Sequence, residues 1–451
     1  MLNSIQKQRE GHYFVRDFNF PFLTMVRGEG NYIIDINGNR YIDSTSGIAV
    51  VNIGHANPRV AKVTYDQAMT LTFTTTVLFS NPTQYELSDR IASMTPGDLN
   101  TTFFTSGGSE SAETAIKLAR QYHVARGRAN KTLVIARWQS FHGNTLGALS
   151  VSGLTGRRTP YNPYLLPFPH IVPCYCYRCP FEKTYPECGI SCAYDLQRVI
   201  NQYGADNTST FFAEPIVGAA MGATVPPPEY FGIIREICNR NDILLVSDEV
   251  ICGFGRTGTN FGIQHWDVVP DILLTAKGMS GGYAPIGGVT VNDAIKEVFV
   301  REKMPFNHGY TYSGNPLCCR IANEVLAVIA EEDLVRQVRE KGNYFFKQAQ
   351  KLREYTTVGD VRGKGLLMGI ELVKNARTKE PFNAELNVSG LLFNLCLKKG
   401  IIIYPCSGVI DGVRGNHFLL CPPFTILYEE IDQIIDKLSK ALGELEREII
   451  K

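Results

Sequence analysis

Nowhere does the chain carry about 18 consecutive apolar residues, so no helical membrane span is expected. An excess of charge of one sign is also missing. The 45 Lys and Arg stand against 44 Asp and Glu, a formal net charge of +1, and this balance implies neither a nucleic-acid nor an acidic partner. No repeat period and no low-complexity segment stand out. The opening "MLNSIQKQREGHYF" lacks the apolar core of a signal peptide, so a cytoplasmic location is expected. In that reducing setting the 12 cysteines point to free thiols, metal ligands or catalysis rather than a disulfide framework. The glycines of "GEGNYIIDINGN" have no helix behind them, which argues against a dinucleotide site.

What is present is an alternation of two kinds of segment. "TTFF", "KTLVIA", "TSTFFAEPI", "ILLVSDEV", "DILLTAK" and "IGGVTV" read as strands separated by helical stretches between about 101 and 292. Strands that are continuous apolar runs imply a parallel sheet covered on both faces. "DINGN", between two short β-branched or aromatic runs, reads as a hairpin. "SGNPLCCRIANEVLAVIAEEDLVRQVREKGNYFFKQAQKL" reads as a long helical register. The tail, with "GKGLLMGIELVKN", "GIIIYP", "NHFLLCPPF" and the amphipathic "YEEIDQIIDKLSKALGELEREIIK", reads as a smaller α+β unit. The expected organisation is an N-terminal segment over 1–60 that joins the small domain, a large domain over 61–335 with a mainly parallel sheet and a Cys-rich insertion at 174–192, and a C-terminal small domain over 336–451.

In open parallel sheets, ligands sit outside the carboxyl ends of the strands, and three polar features fall at such ends. In "TTFFTSGGSESAETAIKLAR" a strand runs through a Ser-Gly-Gly loop into a helix, so the amides of Gly107 and Gly108 can approach an anion at the helix's positive end. "ILLVSDEV" delivers Asp248, and "DILLTAK" delivers Lys277. Taken singly these are a tight turn, a helix cap and a snorkelling lysine. Taken together, phosphate seat, carboxylate and desolvated lysine are the three parts that a pyridoxal phosphate enzyme needs. Burial favours the uncharged lysine that must form an imine with the cofactor aldehyde. The carboxylate keeps the pyridine nitrogen protonated, making the ring an electron sink. Phe141 and Val250 are the candidates to flank that ring, Phe141 being equally at home in a core.

With these residues in view, the sequence resembles the class III, subgroup II aminotransferases of fold type I. The resemblance runs through "DINGNRYIDSTSGIAVVNIGH", "TSGGSESAETAIKLAR", "FHGNT", "EPIVGAAMGA", "LLVSDEVICGFGRTG", "TAKGMSGGYAPIGG", "GYTYSGNP" and "CPPF". It implies an α/β fold in which Lys277 is the Schiff-base lysine that also moves the Cα proton and Asp248 is the partner of the pyridinium. Ser106, Gly107 and Gly108 become the phosphate cradle, with Phe141, His142 and Val250 around the ring. Thr311 becomes a hydroxyl reaching the phosphate of a neighbouring subunit in a homodimer whose sites lie at the interface.

Glu214, in "FFAEPIVG", matches the family's gating glutamate. Its usual partner, an arginine shortly before the final Pro-Pro, is replaced by Phe418, Leu419, Leu420 and Cys421, and Arg414 is the nearest substitute. Where enzymes for 4-aminobutyrate, ornithine and acetylornithine carry an arginine after "FHG", this chain has Asn144, which offers a neutral donor instead of a guanidinium fork. The expected reaction moves an amino group from an ω-amino acid or amine, of 4-aminobutyrate or β-alanine type, to a 2-oxo acid such as pyruvate or 2-oxoglutarate. An amino acid racemase or epimerase of the same fold is the alternative enzyme, and a non-catalytic metal-binding scaffold the alternative of another class. The last of these draws on "CYCYRCPFEKTYPECGISC", which places Cys174, Cys176, Cys179, Cys188 and Cys192 within nineteen residues and without a histidine. The pairs Cys176/Cys179 and Cys188/Cys192 have spacing suited to a structural zinc or an iron-sulfur cluster, and suit equally a surface insertion with reduced thiols.

Overall fold

The computed structural model describes residues 12–449, so the first eleven residues of the polar N-terminal stretch lie outside it. Its centre is a seven-stranded sheet of β4 (Leu99–Thr105), β5 (Leu133–Arg137), β6 (His170–Ile171), β7 (Thr208–Ala213), β8 (Leu244–Asp248), β9 (Ile272–Thr275) and β10 (Gly287–Asn292), in the order β4-β10-β9-β8-β7-β5-β6. Every residue of β7, β8 and β9 is buried, as strands covered on both faces must be. On one face the helix Gly108–Ala125 packs Ala112, Ala115, Leu118 and Ala119 against Val134, Val246, Leu274 and Val289. The spacing of those alanines and leucine is one helical face, and burying each large aliphatic partner contributes about 1.5–3 kcal/mol.

The sheet is mainly parallel, as expected, with one exception. β10 runs antiparallel to both β9 and β4. The link from β9 to β10 spans only 276–286, too short for the helical crossover that a parallel return needs. That short link is the segment bearing Lys277.

Before the central sheet, β1 (Met25–Glu29), β2 (Tyr32–Asp35) and β3 (Arg40–Ile42) form an antiparallel meander. The "DINGN" hairpin joins β2 to β3, and Asp35 closes it by accepting the amides of Asn37 and Asn39, both at 2.9 Å. After the central sheet, β11 (Val358–Lys364), β12 (Leu367–Leu372), β13 (Tyr404–Ser407) and β14 (Asn416–Leu420) make an antiparallel sheet in the order β11-β12-β14-β13. The two ends of the chain are stitched together here. Ile42 donates to the Gly400 carbonyl at 3.0 Å and Cys421 to the Ser44 carbonyl at 2.8 Å. "GIIIYP" yields less strand than its composition suggests: Ile401 makes only an isolated bridge to Ile42, and β13 starts at Tyr404.

The long helical register is two helices, Pro316–Glu331 and Leu334–Ala349. Asp333 between them takes a left-handed φ of +49°, which a short polar side chain tolerates and an α-helix does not. No described helix is long and apolar enough to cross a membrane.

Candidate active site

Three strand ends on one side of the central sheet carry the expected site residues: those of β4, β8 and β9, with β10 between β4 and β9. At the end of β4, Ser106 donates its amide to Glu110 Oε2 at 2.7 Å, closing the turn before the helix Gly108–Ala125. A Cβ placed on Gly107 would meet no protein atom within 4 Å, so open space lies directly over the helix start. A Cβ on Gly108 would stand 3.1 and 3.2 Å from the methyl carbons of Val250, so that glycine lets the helix start press against the loop after β8.

At the end of β8, Asp248 is buried. One carboxylate oxygen accepts the Val250 amide at 3.0 Å, and the other pairs with His142 Nδ1 at 2.7 Å. That bond puts the imidazole proton on Nδ1. His142 is itself held by its amide, which donates to Ser152 Oγ at 2.8 Å, while its Nε2 is buried without a hydrogen-bond partner among the described residues.

At the end of β9, Lys277 adopts a φ of +43°, a strained value for a residue with a long side chain. The turn behind it is held by Asn52 Nδ2, which donates to the Gly278 carbonyl at 2.7 Å. Gly281 follows at φ +59°, and a Cβ there would come within 2.8 Å of Asn52 Oδ1. Burial pushes the Lys277 ammonium pKa down, with the Asp248 charge opposing.

Beside this group, Glu214 follows β7 directly and accepts the amides of Phe141 at 3.0 Å and Gly218 at 2.9 Å. Burial raises its pKa. Phe141, Asn144, Ile251, Tyr404 and Lys277 line a cavity of about 640 Å³. The Asn144 amide donates to Ser109 Oγ at 3.1 Å, and the residue is otherwise exposed. Thr311 is exposed at the surface next to Tyr312, whose ring lies 5.8 Å from that of Phe73.

Two expected associations are not made. Glu214 and Arg414 do not pair: both Glu214 oxygens are taken by amides, and Arg414 Nε donates to Asp411 Oδ2 at 2.7 Å on an exposed loop. The zinc or iron-sulfur site expected at Cys176, Cys179, Cys188 and Cys192 is also not assembled. Those thiols share a narrow cavity with Tyr175, Phe181 and Pro227, yet no group of three or more His, Cys, Asp or Glu among the described residues is placed to hold a metal ion. Burial pushes the Cys176 thiol up to about 11 and that of Cys192 higher still, so with no metal charge beside them these two thiols stay protonated. Cys174 turns away to accept from Arg137 Nη1 at 3.2 Å.

Two residues of the site were not singled out from sequence. Glu249 is buried and accepts the amides of Gly262 at 2.7 Å and Ile263 at 2.8 Å, and burial raises its pKa to about 7. Its adjacency to Asp248 was the only available signal. Arg157, on the cavity wall, carried none.

These residues fit pyridoxal phosphate. The open space over Gly107 suits a phosphate at a helix N-terminus. Asp248, fixed from behind by His142, presents a buried carboxylate suited to a protonated ring nitrogen. Lys277 is a buried amine beside an otherwise open cavity.

Comparison with known proteins agrees. The family model of class III aminotransferases matches residues 13–442. The putrescine–pyruvate aminotransferase of Pseudomonas aeruginosa is 34% identical over 454 aligned residues, covering 97% of each chain. Among solved structures, an (S)-enantioselective omega-transaminase from Thermomicrobium roseum superposes with a TM-score of 0.92 at 35% identity over 98% of both chains. A PLP-bound amine transaminase from an uncultivated Pseudomonas species gives a TM-score of 0.91 at 33% identity, covering 96% of this chain and 99% of that one. The chain belongs to the class III aminotransferases, pyridoxal-phosphate-dependent enzymes of the α/β fold described above.

Proposed function

We propose that this aminotransferase takes its amino group from an ω-amino acid or amine of 4-aminobutyrate or β-alanine type and passes it to a 2-oxo acid, pyruvate or 2-oxoglutarate, as a cytoplasmic homodimer. The observation that carries the reading is Lys277, a desolvated amine at the wall of a cavity large enough for such substrates. When bound, the cofactor supplies an electron sink for the charge left on the substrate when its proton is removed. Lys277 Nζ is the base that takes that proton and the acid that returns it. Asp248 holds its negative charge against the ring nitrogen, and His142 fixes the orientation of that carboxylate. Ser106, Gly107 and Gly108 hold the phosphate, while Phe141 and Val250 flank the ring.

Support for a homodimer comes from exposed apolar side chains: Met69, Val77, Leu78, Phe79 and Tyr312, the last beside Thr311 in sequence, are between 62 and 85% exposed. A second copy covering them would bring its Thr311 hydroxyl towards this chain's phosphate seat. Support for a reducing compartment is that all 12 cysteines are free thiols.

The test is the donor half-reaction alone. Holoenzyme mixed with β-alanine or 4-aminobutyrate, without acceptor, should lose its long-wavelength cofactor absorbance, release one carbonyl product per site and recover the absorbance on adding pyruvate. With a chiral α-amino acid such as L-alanine in their place, retained absorbance with solvent deuterium entering Cα and loss of optical activity would instead make the enzyme a racemase. Lys277→Ala should abolish the exchange.

A further inference from the structure

We infer that Arg157 is the carboxylate-binding residue of the substrate cavity, supplying the guanidinium that position 144 lacks. This rests on the ω-amino acid reading above and names the residue by which the cavity would recognise such a substrate.

Arg157 lies on the one-turn helix Thr155–Arg158, and its side chain lines the same cavity as Lys277 and Asn144. Among the described residues the cavity wall holds no Asp or Glu, while Arg157 and Arg16 are cationic. The wall is thus built for an anion in addition to the reacting amine or carbonyl group. Apolar neighbours such as Leu154, Phe393 and Tyr404 limit the water available to screen a charge there.

The adjacent arginine shows why Arg157 is the one presented. Arg158 Nη1 donates to the carbonyls of Leu149 at 2.8 Å, Ser150 at 2.8 Å and Ser152 at 2.6 Å. Its guanidinium lies 5.6 Å from the Trp138 ring centre. Arg158 therefore pins the turn to the protein. Arg157, one residue earlier, commits only its backbone amide, which donates to the Leu154 carbonyl at 3.0 Å; its guanidinium has no hydrogen-bond or ion-pair partner among the described residues. Its charge is felt across the cavity: burial pushes the Tyr404 phenol up, and Arg157, more than Arg16, pulls it back.

The other cationic candidates are less suited. Arg414 is committed to Asp411 through both its side chain and its amide, each at 2.7 Å. Arg16 is exposed, at the start of the described chain. Arginine's planar fork matches a carboxylate with two parallel hydrogen bonds, which a lysine or the neutral Asn144 cannot reproduce.

The carboxylate in question belongs either to the donor or to the 2-oxo acid, because both use one cavity in turn. The two half-reactions separate these sources. Holoenzyme of wild type, Arg157→Gln and Arg157→Lys would be followed by cofactor absorbance, with 4-aminobutyrate against n-butylamine as donors and pyruvate against propanal as acceptors. Calorimetric titration with butyrate, which carries the carboxylate and no amine, reads binding without turnover. Arg157→Gln should raise KM for a carboxylate-bearing substrate by about tenfold or more, the loss of one charge-assisted fork, with kcat and the carboxylate-free partner within about threefold. Arg157→Lys should recover part of the loss. Butyrate should bind wild type and not Arg157→Gln.

A selective loss in the donor pair assigns the donor's carboxylate, and one in the acceptor pair assigns the acceptor's; both uphold the inference. Equal loss with and without a carboxylate, no loss in either pair, or wild type indifferent to butyrate would overturn it. A wild type that uses n-butylamine but not 4-aminobutyrate would sink the proposed donor, while the butyrate and pyruvate measurements would still decide Arg157.

Discussion

The Asp248 carboxylate shows how a single contact governs the site. It is buried, and one of its oxygens depends on His142 Nδ1 at 2.7 Å. Hydrogen bonds to a charged group contribute roughly 1.5–3 kcal/mol, and losing one leaves a buried acceptor unpaired. His142→Phe should therefore weaken cofactor retention by about 10–100-fold, measured by equilibrium dialysis against pyridoxal phosphate, with kcat falling as the ring nitrogen loses its fixed counter-charge. At Asn144 the expectation concerns preference. Asn144→Arg adds a guanidinium to a wall that already holds Arg157 and Arg16, and should shift donor preference towards longer ω-amino acids in a competition assay. An unchanged donor profile would show that position 144 does not meet the substrate.

At the scale of elements, the start of the helix Gly108–Ala125 contains two glycines with different duties. Gly108→Ala forces a Cβ to 3.1 Å from a Val250 methyl carbon, an overpacking that should cost about 1–3 kcal/mol in urea denaturation. Gly107→Ala meets no protein atom, and its stability cost should stay near the 1 kcal/mol or less of an alanine at a helix cap. Its methyl would enter the open space proposed as the phosphate seat, so cofactor affinity should fall further in Gly107→Ala than its stability suggests. These elements also mark what could be read from residues alone. The buried strands announced themselves as apolar runs, and the positions of Lys277 and Asp248 at their ends followed directly. The direction of β10 did not, because it depends on a link too short for a crossover. The His142–Asp248 bond joins residues 106 apart, and Arg157 lines the cavity from a turn that Arg158 anchors through carbonyls up to nine residues away. The cysteine spacing was equally visible, yet spacing carries no information on where each Sγ points or how dry its surroundings are.

For the whole molecule, four histidines set the acid limit. Burial lowers His123, His170 and His265 to about 4 and His417 to about 3. Each stays neutral when folded and takes up a proton readily when unfolded, below about pH 6.5. Their contribution is complete above that pH and is lost as pH falls towards the folded values. Three buried carboxyls act oppositely: burial raises Glu214, and takes Glu249 to about 7 and Glu371 to about 8, above their unfolded values, so their contribution weakens as pH rises through that range. Four histidines outnumber three carboxyls, and Tm measured by calorimetry should climb modestly from pH 4.5 to about 6.5 and then cease to rise. A Tm that is flat or falling across that range would contradict the buried, neutral state of these rings.

The stitching of the first strands to the last ones also has a temporal side. Ser44 hydrogen-bonds to the Ile402 carbonyl, 358 positions further along. At translation speeds of about 5–20 residues per second, the newly made meander must wait roughly 20–70 s for that edge to leave the ribosome. During that interval its pairing groups face solvent or chaperones, and slower elongation would lengthen the exposure in proportion.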